Sequence, residues 1–329
     1  MKEQGMGSQT TGQPAQRQHA SIIAHDTTRL EVTHSRAGGF SIAAVVAALK
    51  SDQVILIRDA TERDADQIIG EVAAQLGLRA NLEAQAAFAS VHGHRENVSE
   101  FFMTVNRRRD FAIILPHSEG SRSTNIQLAS FYCHQNTTDG GVSVLLNYDQ
   151  DSSAWHCMQE RVARIHPSNR SLTAAEKAIV RAKFLAEEFP LPEDQVIEEW
   201  SPGIAGIRLL WVLTRLRKSF SSPLQREVYT CWDSVASLDL HAATECVRLM
   251  EHYGLLREPV NGPRIDHCDP AYRRAIWRSG VSYDRLYKSL IIRKLAPGEL
   301  LIQNNLTWAH AASNWTPGSG VRNIVAAFA

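Results

Sequence analysis

The spacing of apolar positions changes character twice along the chain. From Ser41, "SIAAVVAALK" carries apolar residues at helical spacing behind a serine suited to cap it. "DQVILIRDA" then contracts into a short β-branched run, a strand pattern ending in a charged turn. "ERDADQIIGEVAAQLG" returns to the helical period and predicts a helix from about Asp64 to Leu76, stopped by Gly77. Between Phe101 and Tyr148 the runs "FAIILP", "LASFYCH" and "VSVLLNY" are short and separated by Ser, Thr, Asn and Gly, as in a sandwich or barrel. Thr173-Ala-Ala-Glu176 has the form of a capping box and opens a helix toward Phe184, with further helical spacing over 204–220 and 223–253. Strand signals resume after Gly262 in "RLYKSLIIRKL", "ELLIQNN" and "RNIVAAF", broken by a Pro297-Gly298 turn. The prediction is a mixed α+β chain: a disordered tail over 1–25, then one domain over 26–329 whose β-fold is interrupted by a helical insertion at about 151–257.

Composition narrows the partners. The 329 residues include 35 basic and 35 acidic side chains, so no net charge marks the chain for nucleic acid or an anionic membrane. Its five cysteines are scattered and never form Cys-x-x-Cys, which fits packed thiols in a reducing compartment. The first twenty residues are polar and hold no apolar stretch, so a cytoplasmic protein acting on a small molecule is expected.

Candidate chemistry begins where "FAIILP" runs into His117-Ser-Glu119. Side chains two apart on a strand point to one face, so an imidazole and a carboxylate converge on a common point and can share a metal. A third ligand would complete the two-histidine, one-carboxylate facial set of non-haem iron(II) oxygenases, which leaves positions open for other ligands. Taken alone, His-x-Glu is common by chance, and a solvated strand end is its bland alternative. His92 and His94 in "VHGH" share the period of two and read as a surface loop. Asp266, His267 and Cys268 in "RIDHCDP" sit together on a turn, where neighbours point apart. His134 reads as a hydrogen-bonded core histidine, and Arg208, Arg215, Arg217 and Lys218 as the solvated side of a helix, or a lid or docking surface for a carrier protein.

Four features stand in order along the chain: His117-Ser-Glu119, Gly140-Gly141-Val-Ser143, His310 in "TWAH", and Arg322 twelve residues later. In this the sequence resembles the iron(II)- and 2-oxoglutarate-dependent dioxygenases of the taurine dioxygenase (TauD/TfdA) and clavaminate synthase-like family. Both "SDQVILIRDATERDADQIIGEVAAQLG" and "GELLIQNNLTWAHAASNW" are similar to family segments. It departs from the family where Gln303 and Asn304 precede Asn305, and where Ala311-Ala312 replace Gly-Arg after the histidine.

The resemblance implies a double-stranded β-helix (jelly roll, cupin-like) core with flanking helices. His117, Glu119 and His310 would hold Fe(II), Arg322 would pair with the distal carboxylate of 2-oxoglutarate, and Ser143 would add a hydrogen bond to it. With dioxygen as second cosubstrate, the implied reaction is hydroxylation of an unactivated C–H of a free or carrier-tethered amino acid in natural-product biosynthesis, releasing succinate and CO2. Glu119 argues against halogenation, since halogenating relatives have glycine or alanine there. Desaturation, epoxidation and cyclisation stay open, as does homo-oligomerisation. Ser121 and Asn125, in the loop after the metal strand, are candidate substrate contacts, with ordinary turn chemistry as the alternative. Two readings from other classes remain: a zinc-dependent hydrolase or isomerase on the same triad, and a metal-free jelly-roll binding protein.

Overall fold

The computed structural model describes residues 23–24, 31–33, 41–51, 54–91, 95–105, 113–120, 124–167, 171–184, 186, 190–203, 206–220, 223–224, 227–231, 240–260, 276–277 and 281–329. In chain order these form β1 (Ile23–Ala24), β2 (Glu31–Thr33), α1 (Ile42–Lys50), β3 (Val54–Arg58), α2 (Glu62–Gln75), α3 (Arg79–Val91), β4 (Met103–Thr104), β5 (Ile114–His117), β6 (Leu128–Asn136) and β7 (Ser143–Tyr148). There follow β8 (Gln159–Ile165), α4 (Ala174–Phe184), β9 (Gln195–Trp200), β10 (Leu209–Arg215), β11 (Ser219–Phe220), β12 (Glu227–Val228) and α5 (Leu240–His252). The last part holds β13 (Ile276–Trp277), α6 (Tyr283–Leu286), β14 (Tyr287–Arg293), β15 (Leu300–Asn304), β16 (Trp308–Ala312) and β17 (Arg322–Phe328).

Two sheets carry the site. One has strand order β1-β14-β7-β16-β5, the other β2-β3-β15-β6-β17-β4, and apart from β1·β14 and β2·β3 all pairings in them are antiparallel. Successive strands β5, β6, β7 and again β14, β15, β16, β17 alternate between the two sheets. The sheets pack face to face: Leu145, Ile291 and Trp308 from the first meet Leu56, Cys133, Leu301 and Ile324 from the second in one buried cluster.

Strand alternation sends the neighbouring residues outward, and helices cover them. Ile55 and Ile57 of β3 pack with Ile68, Ile69 and Val72 of α2, so β3 is apolar on both faces. Val144, Leu146 and Tyr148 of β7 pack with Cys246 and Met250 of α5. Ser41 caps α1 as predicted; Thr61, which the sequence reading passed over, makes a reciprocal capping box with Asp64 that starts α2 two residues ahead of the predicted onset. At α4, Thr173 and Glu176 make the same exchange.

The insertion corrects the sequence reading. Within the span 204–220 read as helical, Leu209–Arg215 form strand β10, one of the two inner strands of a third sheet of order β13-β8-β10-β9, and Ser219–Phe220 form β11. Arg208, Arg215, Arg217 and Lys218 therefore do not line a helix. Leu209, Leu210, Trp211 and Val212 are all buried, because β10 packs on both faces, and a continuous apolar run carries no period that separates strand from helix. Between 223 and 253, helix is confined among the described residues to α5. Most of the expected tail over 1–25 lies outside the described residues, but Ile23 and Ala24 pair in parallel with Ser289 and Leu290.

Candidate metal centre and its surroundings

Pro116 lacks a backbone N–H, so a strand containing it is suited to a sheet edge, and β5 is the edge strand beside β16. That pairing sets His117 directly opposite His310. Across the same sheet His310 opposes Leu145, which opposes Ile291, so all four share the row facing the second sheet. Glu119 lies just past the end of β5.

There Glu119 Oε1 is 3.6 Å from His117 Nε2 and 3.7 Å from His310 Nε2. One ligand atom from each of the three residues falls within 4.8 Å of the others, the one such His/Cys/Asp/Glu group among the described residues. Ligands at right angles and about 2.1 Å from an ion would stand about 3 Å apart, so a small contraction brings these donors onto one metal.

Neighbouring groups aim each donor. His117 Nδ1 lies 2.8 Å from the Leu115 carbonyl; donating there leaves Nε2 bare toward the common point. Gln303, fully buried on β15, donates from Nε2 to the Trp308 carbonyl at 3.0 Å, and the same nitrogen is 3.2 Å from His310 Nδ1. Its Oε1 is buried with no partner. Phe131 stacks edge-on against the His310 ring, with centroids 4.8 Å apart. Asn305 holds the carboxylate's backbone at both ends: its Oδ1 accepts from Glu119 N–H at 2.9 Å, and its Nδ2 donates to the carbonyls of Glu119 and Ile126.

Burial, and then the charge of His117, push His310 down to about 4, so it is neutral at physiological pH, as a metal ligand must be. Burial by itself would raise the Glu119 carboxyl; contacts with His117 and His310 and the charge of Arg95 overcome it and hold the group well below the usual carboxylate range. Arg95 Nη2 is 3.4 Å from Glu119 Oε1.

Arg322 opens β17 and shares the inward face with Ile324, two residues on. It has no carboxylate partner among the described residues. It donates from Nε to the Gly141 carbonyl at 3.2 Å, and its guanidinium carbon lies 5.9 Å from the centre of the Trp315 ring. Burial pushes it down to about 10, still charged at neutral pH. The Gly140-Gly141 turn explains itself here: Gly141 has φ +64, and a Cβ on it would meet Arg322 Cδ at 2.8 Å. Ser143 begins β7 on the same face as Leu145, two residues and about 7 Å along the strand from His310's partner.

The structure thus gathers His117, Glu119 and His310, and sets Arg322 and Ser143 on inward faces flanking the Gly140-Gly141 turn. Asn125 has φ 45 and a buried Oδ1 with no partner, beside the Asn305 clamp. Ser121, the His92/His94 pair and Asp266-His267-Cys268 lie outside the described residues. His134 is half-buried, rings edge-on with Tyr132, and leaves Nε2 without a partner rather than hydrogen-bonded as expected. Sequence reasoning passed over Arg95 and Phe131 and treated Gln303 and Asn305 only as departures; no motif flags them, since their roles arise from strand register.

No protein-family profile and no curated protein matches the chain. Among solved structures it is similar to AAD-2 in complex with Mn(II) and N-oxalylglycine, at 13% identity and TM-score 0.38, covering 94% of this chain and 97% of that one. It is also similar to a protein described as an alpha-ketoglutarate-dependent taurine dioxygenase from Burkholderia xenovorans, at 13% identity and TM-score 0.39, covering 93% and 89%. A third is PvcB, an Fe, alpha-ketoglutarate dependent oxygenase from an isonitrile synthetic pathway, at 10% identity and TM-score 0.39, covering 90% and 84%. With TM-scores below 0.5, these likenesses lend no weight to the function proposed below, which rests on the geometry of the site.

Proposed function

We propose that the protein is an iron(II)- and 2-oxoglutarate-dependent dioxygenase of the taurine dioxygenase and clavaminate synthase-like kind, built on a double-stranded β-helix over residues 26–329. The observation that carries this reading is the facing of His117 and His310 across adjacent strands with Glu119 Oε1 between their Nε2 atoms. A histidine pair and one carboxylate suit a metal that keeps open positions for cosubstrate and dioxygen. When bound, the iron supplies the oxidising power for attack on an unactivated C–H.

The chain's own residues do the rest. His117 and Glu119 arrive from one strand end and His310 from its neighbour, so these three residues would hold the ion. Asn305 and Gln303 keep Glu119 and His310 in place. Arg322, charged and without a carboxylate partner among the described residues, would receive the distal carboxylate of 2-oxoglutarate through its planar fork, with Ser143 adding a hydrogen bond. The sandwich interior, lined by Phe131, Leu145 and Ile324, keeps water from the reacting centre. The substrate is read as a free or carrier-tethered amino acid hydroxylated in a biosynthetic pathway of the cytoplasm, with Asn125 and Ser121 as its candidate contacts and succinate and CO2 released. No described helix is long and apolar enough to cross a membrane.

The test is anaerobic titration of the metal-free protein with Fe(II) and then 2-oxoglutarate. A weak visible charge-transfer band of the chelated keto acid is expected in wild type, absent in His310→Ala and weakened in Arg322→Ala. Tight zinc binding with no such band would transfer the triad to hydrolytic or isomerising chemistry.

A further inference from the structure

Ser118 stands between His117 and Glu119 in sequence, yet its side chain is fully buried and its hydroxyl meets a segment of the insertion. Thr230 Oγ1 donates to Ser118 Oγ at 3.3 Å, and the Cys231 carbonyl accepts from the Ser118 N–H at 3.2 Å. Tyr148, which packs with α5 on the outer side of its sheet, closes the group: its phenol oxygen is 3.4 Å from Ser118 Oγ and accepts from the Cys231 N–H at 3.3 Å. Burial holds the phenol well above the usual tyrosine range, so it keeps its proton. Ser118 has one proton to give, and it goes to the Trp308 carbonyl at 3.5 Å; the phenol therefore donates to Ser118.

This one hydroxyl joins both parts of the candidate metal centre. Ser118 carries the peptide units that link His117 to Glu119, so whatever holds its backbone holds the spacing of those two donors. The Trp308 carbonyl is also the acceptor of Gln303 Nε2, the atom that faces His310 Nδ1. Residues 228–231 are anchored apart from the donors: Val228 packs on Leu306, and Tyr229 exchanges two 2.7 Å backbone hydrogen bonds with the Gln150 amide while its ring stacks on Trp155 at 5.0 Å. The segment is thus a firm support. The three oxygen contacts of Ser118 Oγ span 3.3–3.5 Å, against about 2.7–2.8 Å for a typical hydroxyl bond. Each is weak alone, and each has room to shorten.

We infer that the insertion braces the metal ligands from behind: residues 228–231 dock on Ser118, Thr230 is a positioning residue for His117 and Glu119, and metal binding and docking strengthen each other. This rests on the metal-binding part of the function proposed above and is independent of the oxygen chemistry. A support bonded to the ligand-bearing peptide orders the donors before an ion arrives, so less binding energy is lost in ordering them. By linkage, the ion holds the segment in return. Thr230 contacts Ser118 and acts on the donors through it.

The experiment is calorimetric titration of the full chain with Mn(II), paired with hydrogen exchange read by mass spectrometry, on wild type, Thr230→Val and Thr230→Ser. Valine keeps the shape of threonine without its hydroxyl, whereas serine keeps the hydroxyl. Thr230→Val is expected to bind Mn(II) about twofold to tenfold more weakly, the span of one neutral hydrogen bond, and Thr230→Ser to recover most of that loss. In wild type Mn(II) slows exchange at Ser118 and at 228–231 and leaves the β9–β10 pair of the same insertion unchanged; in Thr230→Val the slowing at 228–231 is lost. A merely structural threonine would lower the unfolding midpoint of Thr230→Val and leave its metal affinity and metal-dependent exchange as in wild type. That result overturns the inference, as does exchange at 228–231 that is indifferent to Mn(II) in wild type, a comparison that stands whether or not the variants fold. Mn(II) that fails to bind wild type defeats the metal centre and the inference with it; Mn(II) bound without effect at 228–231 defeats the brace alone. The keto acid band with Fe(II) decides the dioxygenase reading separately.

Discussion

His117 and His310 are register partners on adjacent antiparallel strands, with ring centroids 4.3 Å apart and planes inclined at 56°. Neither ring has room to turn without disturbing the other, and both Nε2 atoms face the same carboxylate oxygen. His117→Ala or His310→Ala is therefore expected to abolish stoichiometric Fe(II) binding, read by anaerobic equilibrium dialysis, while circular dichroism stays that of the folded chain. Retention of a full equivalent of iron by either variant would remove the triad as the metal site.

Asn305 touches Glu119 only through its backbone, so its effect on a bound metal would pass through that backbone. Asn305→Ala removes three hydrogen bonds that hold the carboxylate loop, and the expected loss of metal affinity is about tenfold to a hundredfold, the usual range for groups that support ligands. Gln303→Leu is expected to fall in the same range by freeing the His310 ring. Metal titrations of the two variants check this, and wild-type affinity in both would show that the ligands hold themselves.

Arg322→Lys keeps the charge and loses the planar fork. Iron affinity is expected to stay unchanged while 2-oxoglutarate binds at least about tenfold more weakly, measured by titrating the keto acid band on the Fe(II) protein.

Gly141→Ala combines a left-handed backbone with a close approach to Arg322 Cδ. The expected cost is about 1–3 kcal/mol of stability, measured by denaturant unfolding, together with weaker 2-oxoglutarate binding as Arg322 is displaced. Gly140→Ala is harsher, because its Cβ would stand 2.1 Å from the Asn314 carbonyl oxygen, which is backbone.

Cys133 is fully buried, and burial first, aided by Glu299 and opposed by Arg322, pushes its thiol up to about 11. Cys157 is exposed. At pH 8 a thiol reagent is expected to label Cys157 in native protein and spare Cys133, with Cys157→Ser removing that label. For stability the sign follows from the retained proton: above pH 9.0 the unfolded chain gives up a proton that the folded chain keeps. The contribution of Cys133 is thus full below that pH and lost as pH rises toward 11. Comparing wild type with Cys133→Ala across pH 8–11 reads this difference.

Much of the fold could be read because its signals are local. A cap is made within four residues, so Ser41 and Thr173 marked their helices. A half-covered helix shows its period, so α2 was visible in the spacing of Ala65, Ile68, Ile69 and Val72. Strand β10 was misread for the converse reason: Leu209 to Val212 are covered on both sides, and double coverage erases the alternation that distinguishes a strand.

The linear chain determined the candidate donors, their order, and the spacing of two between His117 and Glu119, since these depend only on neighbouring residues. Tertiary structure decided which distant groups meet them. The register of β16 against β5 brings His310 across 193 positions to face His117. The turn after β15 carries Asn305 onto Glu119, and alternation along β17, paired with β6, sets Arg322 on the face of Ile324. Register arises from the packing of two sheets against each other, and a shift of one residue would turn every one of these side chains to the opposite face.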